Sequence, residues 1–402
     1  MGPVRVSADG RYFVDQDGKP FFWLGDTQWE LFRAFSLADA HAILTNRKAK
    51  GFTVLQVMLT GVGDGTRPDR SGQSPWVNDD PATPHEAYLR HVDAVVELGR
   101  QEELVFALGV YHQVQARQFT LAKARTYARW LARRYRDMPN LIWSMYPQAT
   151  PEFAPICREL AAGLQDGDGG AHLITVHPDP SPASSSFLHN EPWLAFNCIQ
   201  TWRDVDLICP MVSHDYALQP TKPVVMAEGA YEGGTEYGFD VTPLWVRRQA
   251  YLSYLAGGHH AYGHNDSWRV LPTWREALDA PGARQLGVLR RVLERKEWWR
   301  GVPDPSVFAN GAQNGPLPPV AMRSACEDWV LAYLSTSAAA HVRMDKITAD
   351  TTVEASWIDP RTEDQTGIGR FPNAGVRSFS PPEGWDDAVL LLETPTCPSP
   401  RR

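Results

Sequence analysis

Long apolar runs are missing from this sequence. None reaches 18 residues, and the opening Met1-Gly2-Pro3-Val4-Arg5-Val6-Ser7 has no apolar core. Neither a membrane-spanning helix nor a secretory leader is therefore read from it. The chain as given reads as cytoplasmic, or as exported if a leader has been trimmed. Cysteine is scarce as well. The five, Cys157, Cys198, Cys209, Cys326 and Cys397, are odd in number and show no CxxC spacing, which argues against a disulfide framework or a structural zinc site. Positive charge is in deficit, with 39 Lys and Arg against 47 Asp and Glu. A net charge of −8 offers no surface to nucleic acid or to an anionic membrane. Repeats and low-complexity segments are absent, as are HExxH and GxSxG, so no metal or cofactor is called for by motif. Oligomeric state is not legible.

Tryptophan, by contrast, is abundant at 15 residues. Its flat apolar face with one donor suits sugar rings, and suits a large core equally well. The most informative stretch is Pro223-Val224-Val225-Met226-Ala227-Glu228-Gly229. A β-branched run that stops at a carboxylate and a glycine reads as a buried parallel strand delivering an acid to its C-terminal edge. That edge is where α/β barrels keep their chemistry.

The length of 402 residues exceeds one ordinary core and fits a large domain with a smaller one. A hairpin opens the chain, its arms flanking Asp15-Gln16-Asp17-Gly18. Apolar runs then fall at 21–24, 53–59, 104–111, 141–146, 172–177, 196–202, 223–228 and 259–264. Helical patterns occupy 37–50, 87–101, 121–135, 153–164 and 243–256, and a last one, 281–299, closes the unit. Eight strands with helices between them predict a (β/α)8 TIM barrel over residues 1–302. An open doubly wound sheet is the alternative, but the turn Gly25-Asp26-Thr27-Gln28-Trp29 lacks its glycine pattern. Pro and Gly crowd 301–319 as a linker. Residues 303–402 then read as a small β-sandwich, with strands at 329–334, 352–358 and 388–392, ending in a frayed tail from 395.

The expected strand ends carry Asp26 and Trp29; His112 and Gln113; Tyr146 and Gln148; His177 and Asp179; Gln200 and Trp202, with His214 in the following loop; Glu228, Tyr231 and Glu232; and His264, Asn265 and Trp268. Aromatic faces interleaved with neutral donors and carboxylates are what a polyhydroxylated ligand needs. Any one of them is equally at home as a satisfied core group; the set on one face points to a site. The histidines with Asp26 would be the donor set for the competing reading, a metal-dependent lyase or isomerase.

These residues carry a resemblance. The chain is similar to the DUF4038 family of glycoside hydrolases, whose relatives include apiosidase-like enzymes of glycoside hydrolase family 140. The likeness lies in Gly10 to Trp29, in Lys222 to Glu228 with Tyr231-Glu232, and in Ala261-Tyr262-Gly263-His264-Asn265 with Trp268. The segment with Trp357-Ile358-Asp359-Pro360-Arg361 and Phe379-Ser380-Pro381-Pro382 resembles the collagen-binding-type domain that often follows. An acidic, leaderless chain has no evident route to collagen, and buttressing the barrel is the expected role. A carbohydrate-binding role would fall to Trp329, Trp357 and Trp385.

The resemblance implies a retaining glycoside hydrolase acting on an unidentified oligosaccharide or glycoside. Its two carboxylates would stand about 5–5.5 Å apart, at the ends of the fourth and seventh strands. Glu228 matches the nucleophile. The fourth-strand acid does not match: family members read Gly-Gly-Asp after the Ile-Trp, whereas this chain reads Ile142-Trp143-Ser144-Met145-Tyr146-Pro147-Gln148, and an amide cannot shuttle a proton. Glu152 is expected to reach in as the displaced acid, with Tyr146, His112, His177 and Asp179 as other groups that could serve. Asp26, Trp29, His112, Tyr146, Gln148, His177, Trp202, His214, Tyr231, Glu232, His264, Asn265 and Trp268 are expected to line the sugar subsites. The alternative is a carbohydrate-binding protein on an altered hydrolase scaffold.

Overall fold

The computed structural model describes residues 2–310 and 317–395. Cys397, most of the expected frayed tail and the middle of the expected linker lie outside the described residues. Three short strands, β1 (Arg5–Val6), β2 (Phe13–Val14) and β3 (Pro20–Phe21), form an antiparallel sheet. This is the expected hairpin with one strand added. Phe13 of β2 is fully buried against Trp23, Phe196 and His259, and with Val4 it joins the cluster that fills the barrel's N-terminal end.

Eight parallel strands close into a barrel: β4 (Leu24–Thr27), β5 (Val54–Met58), β6 (Val105–His112), β7 (Leu141–Tyr146), β8 (Ile174–Val176), β9 (Leu194–Gln200), β10 (Val224–Glu228) and β11 (His259–Tyr262). The first begins at Leu24 rather than Phe21, because Phe21 is still paired with Phe13 in the hairpin. Alternation along β6 explains the unbroken apolar runs. Val105 and Ala107 point into the barrel, whereas Phe106, Leu108 and Val110 point out to the helices, and both faces are dry. Register shifts occur in β6 between Gly109 and His112, and in β10 between Met226 and Glu228. Both bulges lie at the C-terminal rim and re-aim the side chains that follow.

The remaining chain is antiparallel. Strands β12 (Gly301–Pro303), β13 (Val320–Ser324), β14 (Trp329–Leu334), β16 (Thr352–Ile358), β17 (Gln365–Pro372) and β19 (Ala388–Glu393) make a six-stranded sheet, and β15 (Ala340–Arg343) pairs with β18 (Val376–Phe379). β12 straddles the expected boundary at 302/303. In β14, Val330, Ala332 and Leu334 pack under the two-stranded ribbon. Trp329, Leu331 and Tyr333 face the barrel helices Pro243–Leu255 and Pro281–Glu294. The six-stranded sheet is thus sandwiched between its own ribbon and the barrel. Arg247 donates two bonds to Asp387, at 2.9 and 2.7 Å. The pair is fully enclosed, and Tyr333 donates to the same carboxylate at 2.8 Å. Trp329 and Trp357 are core residues at 2% and 6% exposure, which removes them as sugar platforms. Trp385 is half-buried, beneath the Arg361 guanidinium.

Among the described residues, no helix is long and apolar enough to cross a membrane.

Candidate active site

A cavity of about 230 Å³ opens at the C-terminal rim of the barrel. β10 delivers Glu228 to it, and β6 delivers His112 and Gln113. Tyr146 comes from the end of β7 and Asp179 from the turn after β8. Trp29, Tyr231 and Trp268 supply aromatic walls, and Met58 with Val62 an apolar edge. The rings form one continuous group. Tyr146 lies 4.5 Å from His177, 4.9 Å from His112 and 5.9 Å from Trp29, centroid to centroid, and Tyr231 lies 6.3 Å from Trp268.

Glu228 is buried. Its Oε1 accepts from Gln200 Nε2 at 2.9 Å, and Gln200 Oε1 in turn accepts from the Tyr146 hydroxyl at 2.9 Å. Its Oε2 takes no hydrogen bond from the described residues and stands 3.6 Å from His177 Nε2. His177 Nδ1 meets the Pro178 carbonyl at 3.2 Å, so that nitrogen carries the proton and Nε2 presents a lone pair to Glu228. Burial holds His177 down at about 3, leaving it neutral. Burial pushes Glu228 up to about 8; the Tyr231 hydroxyl works against this, and the Asp179 charge adds to it. A protonated Oε2 facing a bare imidazole nitrogen is the arrangement both shifts favour.

The tautomer of His112 follows in the same way. Its Nδ1 accepts from the Val114 N–H at 3.3 Å, so the proton sits on Nε2. Burial lowers its basicity. Besides Glu228 Oε2, two cavity-lining residues bury an atom with no partner among the described residues, Gln113 its Oε1 and Trp268 its Nε1. Unpaired polar atoms around an aromatic cavity are suited to a ligand that brings its own donors and acceptors.

Several expected site residues are engaged elsewhere. Asp26 is at 0% exposure, paired with Arg47 at 2.8 Å and with Gln28 at 2.8 Å. Glu232 accepts the Tyr262 hydroxyl at 2.6 Å and the Gly282 N–H at 3.0 Å, binding the start of the helix Pro281–Glu294. A Cβ at residue 282 would stand 2.3 Å from this carboxylate, so a side chain there would force the carboxylate to shift. His264 Nδ1 accepts from Asp266 N–H at 3.2 Å and caps the short helix Asn265–Trp268, with Asn265 beside it. His214 is exposed on the outer helix Ile208–Ala217, not in a loop. Trp202 is half-buried on the rim beside Tyr237, at 5.5 Å, with a left-handed φ of 53°. Gln148 is exposed, and so is Glu152, in the turn Pro151–Phe153; neither lines the cavity. Reading strand ends missed Met58 and Val62, which carry no polar signal.

Among the described residues, no group of three or more His, Cys, Asp or Glu gathers as a metal site. Arg47 claims Asp26, and His214 faces solvent, so the donor set considered from sequence is not brought together.

A closed parallel barrel with a carboxylate at the end of its seventh strand, set among aromatic rings, is a glycoside hydrolase-like architecture. The chain belongs to the apiosidase-like family: residues 7–300 match the family model "Apiosidase-like, catalytic domain". Residues 302–393 match "Putative collagen-binding domain of a collagenase". A solved structure named "Glycoside hydrolase" superposes with TM-score 0.90 at 26% identity, over 98% of this chain and 97% of that one. A glycoside hydrolase family 5 structure from Bacteroides vulgatus ATCC 8482 gives TM-score 0.90 at 24% identity, over 98% and 93%. No curated protein matches the chain.

Proposed function

We propose that the protein is a retaining glycoside hydrolase with Glu228 as its nucleophile, acting on one sugar unit held in the rim cavity. The observation that carries this is Glu228 Oε2, an unpaired carboxyl oxygen in a cavity walled by Trp29, Tyr146, Tyr231 and Trp268. The rings offer stacking faces for sugar C–H groups. The orphaned donors and acceptors fit hydroxyls. At about 230 Å³ the cavity falls below the roughly 300–1,000 Å³ of pockets for drug-sized ligands, and so suits a single ring better than a chain. The named glycoside hydrolases among the structural relatives support the same reading.

Catalysis at this site requires a proton to leave Glu228 as substrate enters. Sugar hydroxyls donating to Oε2 stabilise its charged form, and the Gln200 amide already holds Oε1. The test is a panel of 4-nitrophenyl and methyl α- and β-glycosides of pentoses and hexoses, with wild type beside Glu228→Gln. Hydrolysis by wild type, with the first-formed product keeping its anomeric configuration in NMR, and its loss in the variant, support the reading. Sugar binding without cleavage favours a carbohydrate-binding protein, the alternative that the exposed Gln148 keeps open.

A further inference from the structure

We propose that Asp179, from the turn after β8, is the acid/base partner of Glu228, replacing a carboxyl at the end of β7. The inference rests on the hydrolase reading above.

The position is set by the backbone. Asp179 N–H donates to the Pro147 carbonyl at 3.1 Å. The fifth-strand turn is therefore tied to the residue just before Gln148, where the family carries its acid. Gln148 itself is exposed, while the Asp179 carboxylate lines the cavity with Glu228. Gln113 Nε2 holds its Oδ2 at 2.5 Å, and Oδ1 takes no hydrogen bond from the described residues. One oxygen is thus anchored and the other is open to substrate. Its charge acts on Glu228, Tyr146 and His112 alike, as expected of a group standing among all three.

The competitors are excluded by their own chemistry. Glu152 does not line the cavity. His177 is held neutral by burial, and its free nitrogen faces Glu228. Tyr146 is pushed far above the usual phenol range, chiefly by burial, and its hydroxyl is spent on Gln200. His112 is made less basic by burial, so it suits a neutral donor to a hydroxyl. Asp179 is the carboxyl that remains.

In the first step, Asp179, having taken up the proton that leaves Glu228 as substrate enters, gives it to the glycosidic oxygen as the C1–O bond breaks. Glu228 carboxylate then holds C1 as an ester, and the alcohol leaves. In the second step, Asp179 carboxylate takes a proton from water, whose hydroxyl bonds to C1 and releases Glu228. The net change is the addition of one water across the glycosidic bond.

The test is Asp179→Asn in the full chain, assayed with the methyl and 2,4-dinitrophenyl glycosides of a sugar that wild type cleaves. The methyl glycoside needs acid help; dinitrophenolate leaves without it. The expected result is a fall in kcat/KM of about 10²–10⁴ on the methyl glycoside, with little change on the dinitrophenyl one. Added azide, a nucleophile that needs no base, should restore turnover and yield a glycosyl azide of retained configuration. A misfolded variant would lose both substrates and gain nothing from azide. Equal effects on both glycosides without azide rescue in a variant whose circular dichroism and thermal melt match wild type, or wild-type rates on both, overturn the assignment while leaving the hydrolase reading intact. Failure of wild type to cleave any glycoside of the panel removes the hydrolase reading, and this assignment with it.

Discussion

Glu228→Gln should stabilise the protein, increasingly so as the pH rises. Burial raises this carboxyl from its ordinary 4.5 to about 8 in the fold. Below about pH 4.5 it is neutral in both the folded and the unfolded chain, and it costs nothing. Between 4.5 and 8 the unfolded chain ionises while the fold keeps the proton. Stability is therefore lost as pH climbs through that window, and the full cost is reached above pH 8. That cost is at most about 5 kcal/mol. Water admitted by the open cavity relaxes it, and about 2–3 kcal/mol is the expected remainder. Glutamine is neutral throughout and nearly isosteric. Its carbonyl can accept from Gln200 as Oε1 does, and its amide can donate to the bare His177 Nε2. With unfolding entropy of about 2.1 cal/mol/K per residue, each kcal/mol is worth a little over about 1 °C in a chain of 402 residues. Thermal melts should therefore coincide within about 1 °C at pH 5 and separate by about 3 °C at pH 9, with the variant higher. The hydrolase reading adds a kinetic counterpart: the nucleophile must be ionised while its partner holds a proton, so the wild-type kcat/KM should be bell-shaped in pH, with its alkaline limb above about 8. A pH-independent offset between the two melts, or a wild type that gains on the variant in alkali, would refute the argument.

Two further outcomes follow from the packing. Asp387→Asn should leave the Arg247 guanidinium buried without its counter-charge, at a cost of about 3–5 kcal/mol. Denaturant unfolding measures it, and the double change Arg247→Met with Asp387→Leu should recover most of the loss. Glu152→Gln and Gln148→Ala alter exposed groups outside the cavity, so kcat/KM on any cleaved glycoside should move by less than about threefold; a larger drop in either would put the fourth-strand loop back in the chemistry.

Much of the fold was legible because barrel strands are dry on both faces. Such strands read as short unbroken apolar runs, and β7, β10 and β14 lie where those runs predict. The central strands β14 and β19 of the C-terminal sheet are also dry on both faces, here because the barrel covers one of them. Glu228 was legible for a related reason: a carboxylate ending an apolar run must be at the strand's exposed edge. What the runs do not encode is which strand-end side chains turn inward. Asp26 and Asp179 are both carboxylates at or just beyond strand ends, with opposite fates.

The sequence by itself determined the eight-strand succession, the second β unit and the acid at the end of the seventh strand, since each depends on local period and polarity. Tertiary structure alone decided the membership of the site. Arg47, brought back by its helix, neutralises Asp26, and Gly282, 50 residues on, gives Glu232 an N–H to bind. A backbone bond between neighbouring strand turns brings Asp179 beside Pro147. Each is a long-range contact fixed by barrel closure, and no spacing along the chain records it.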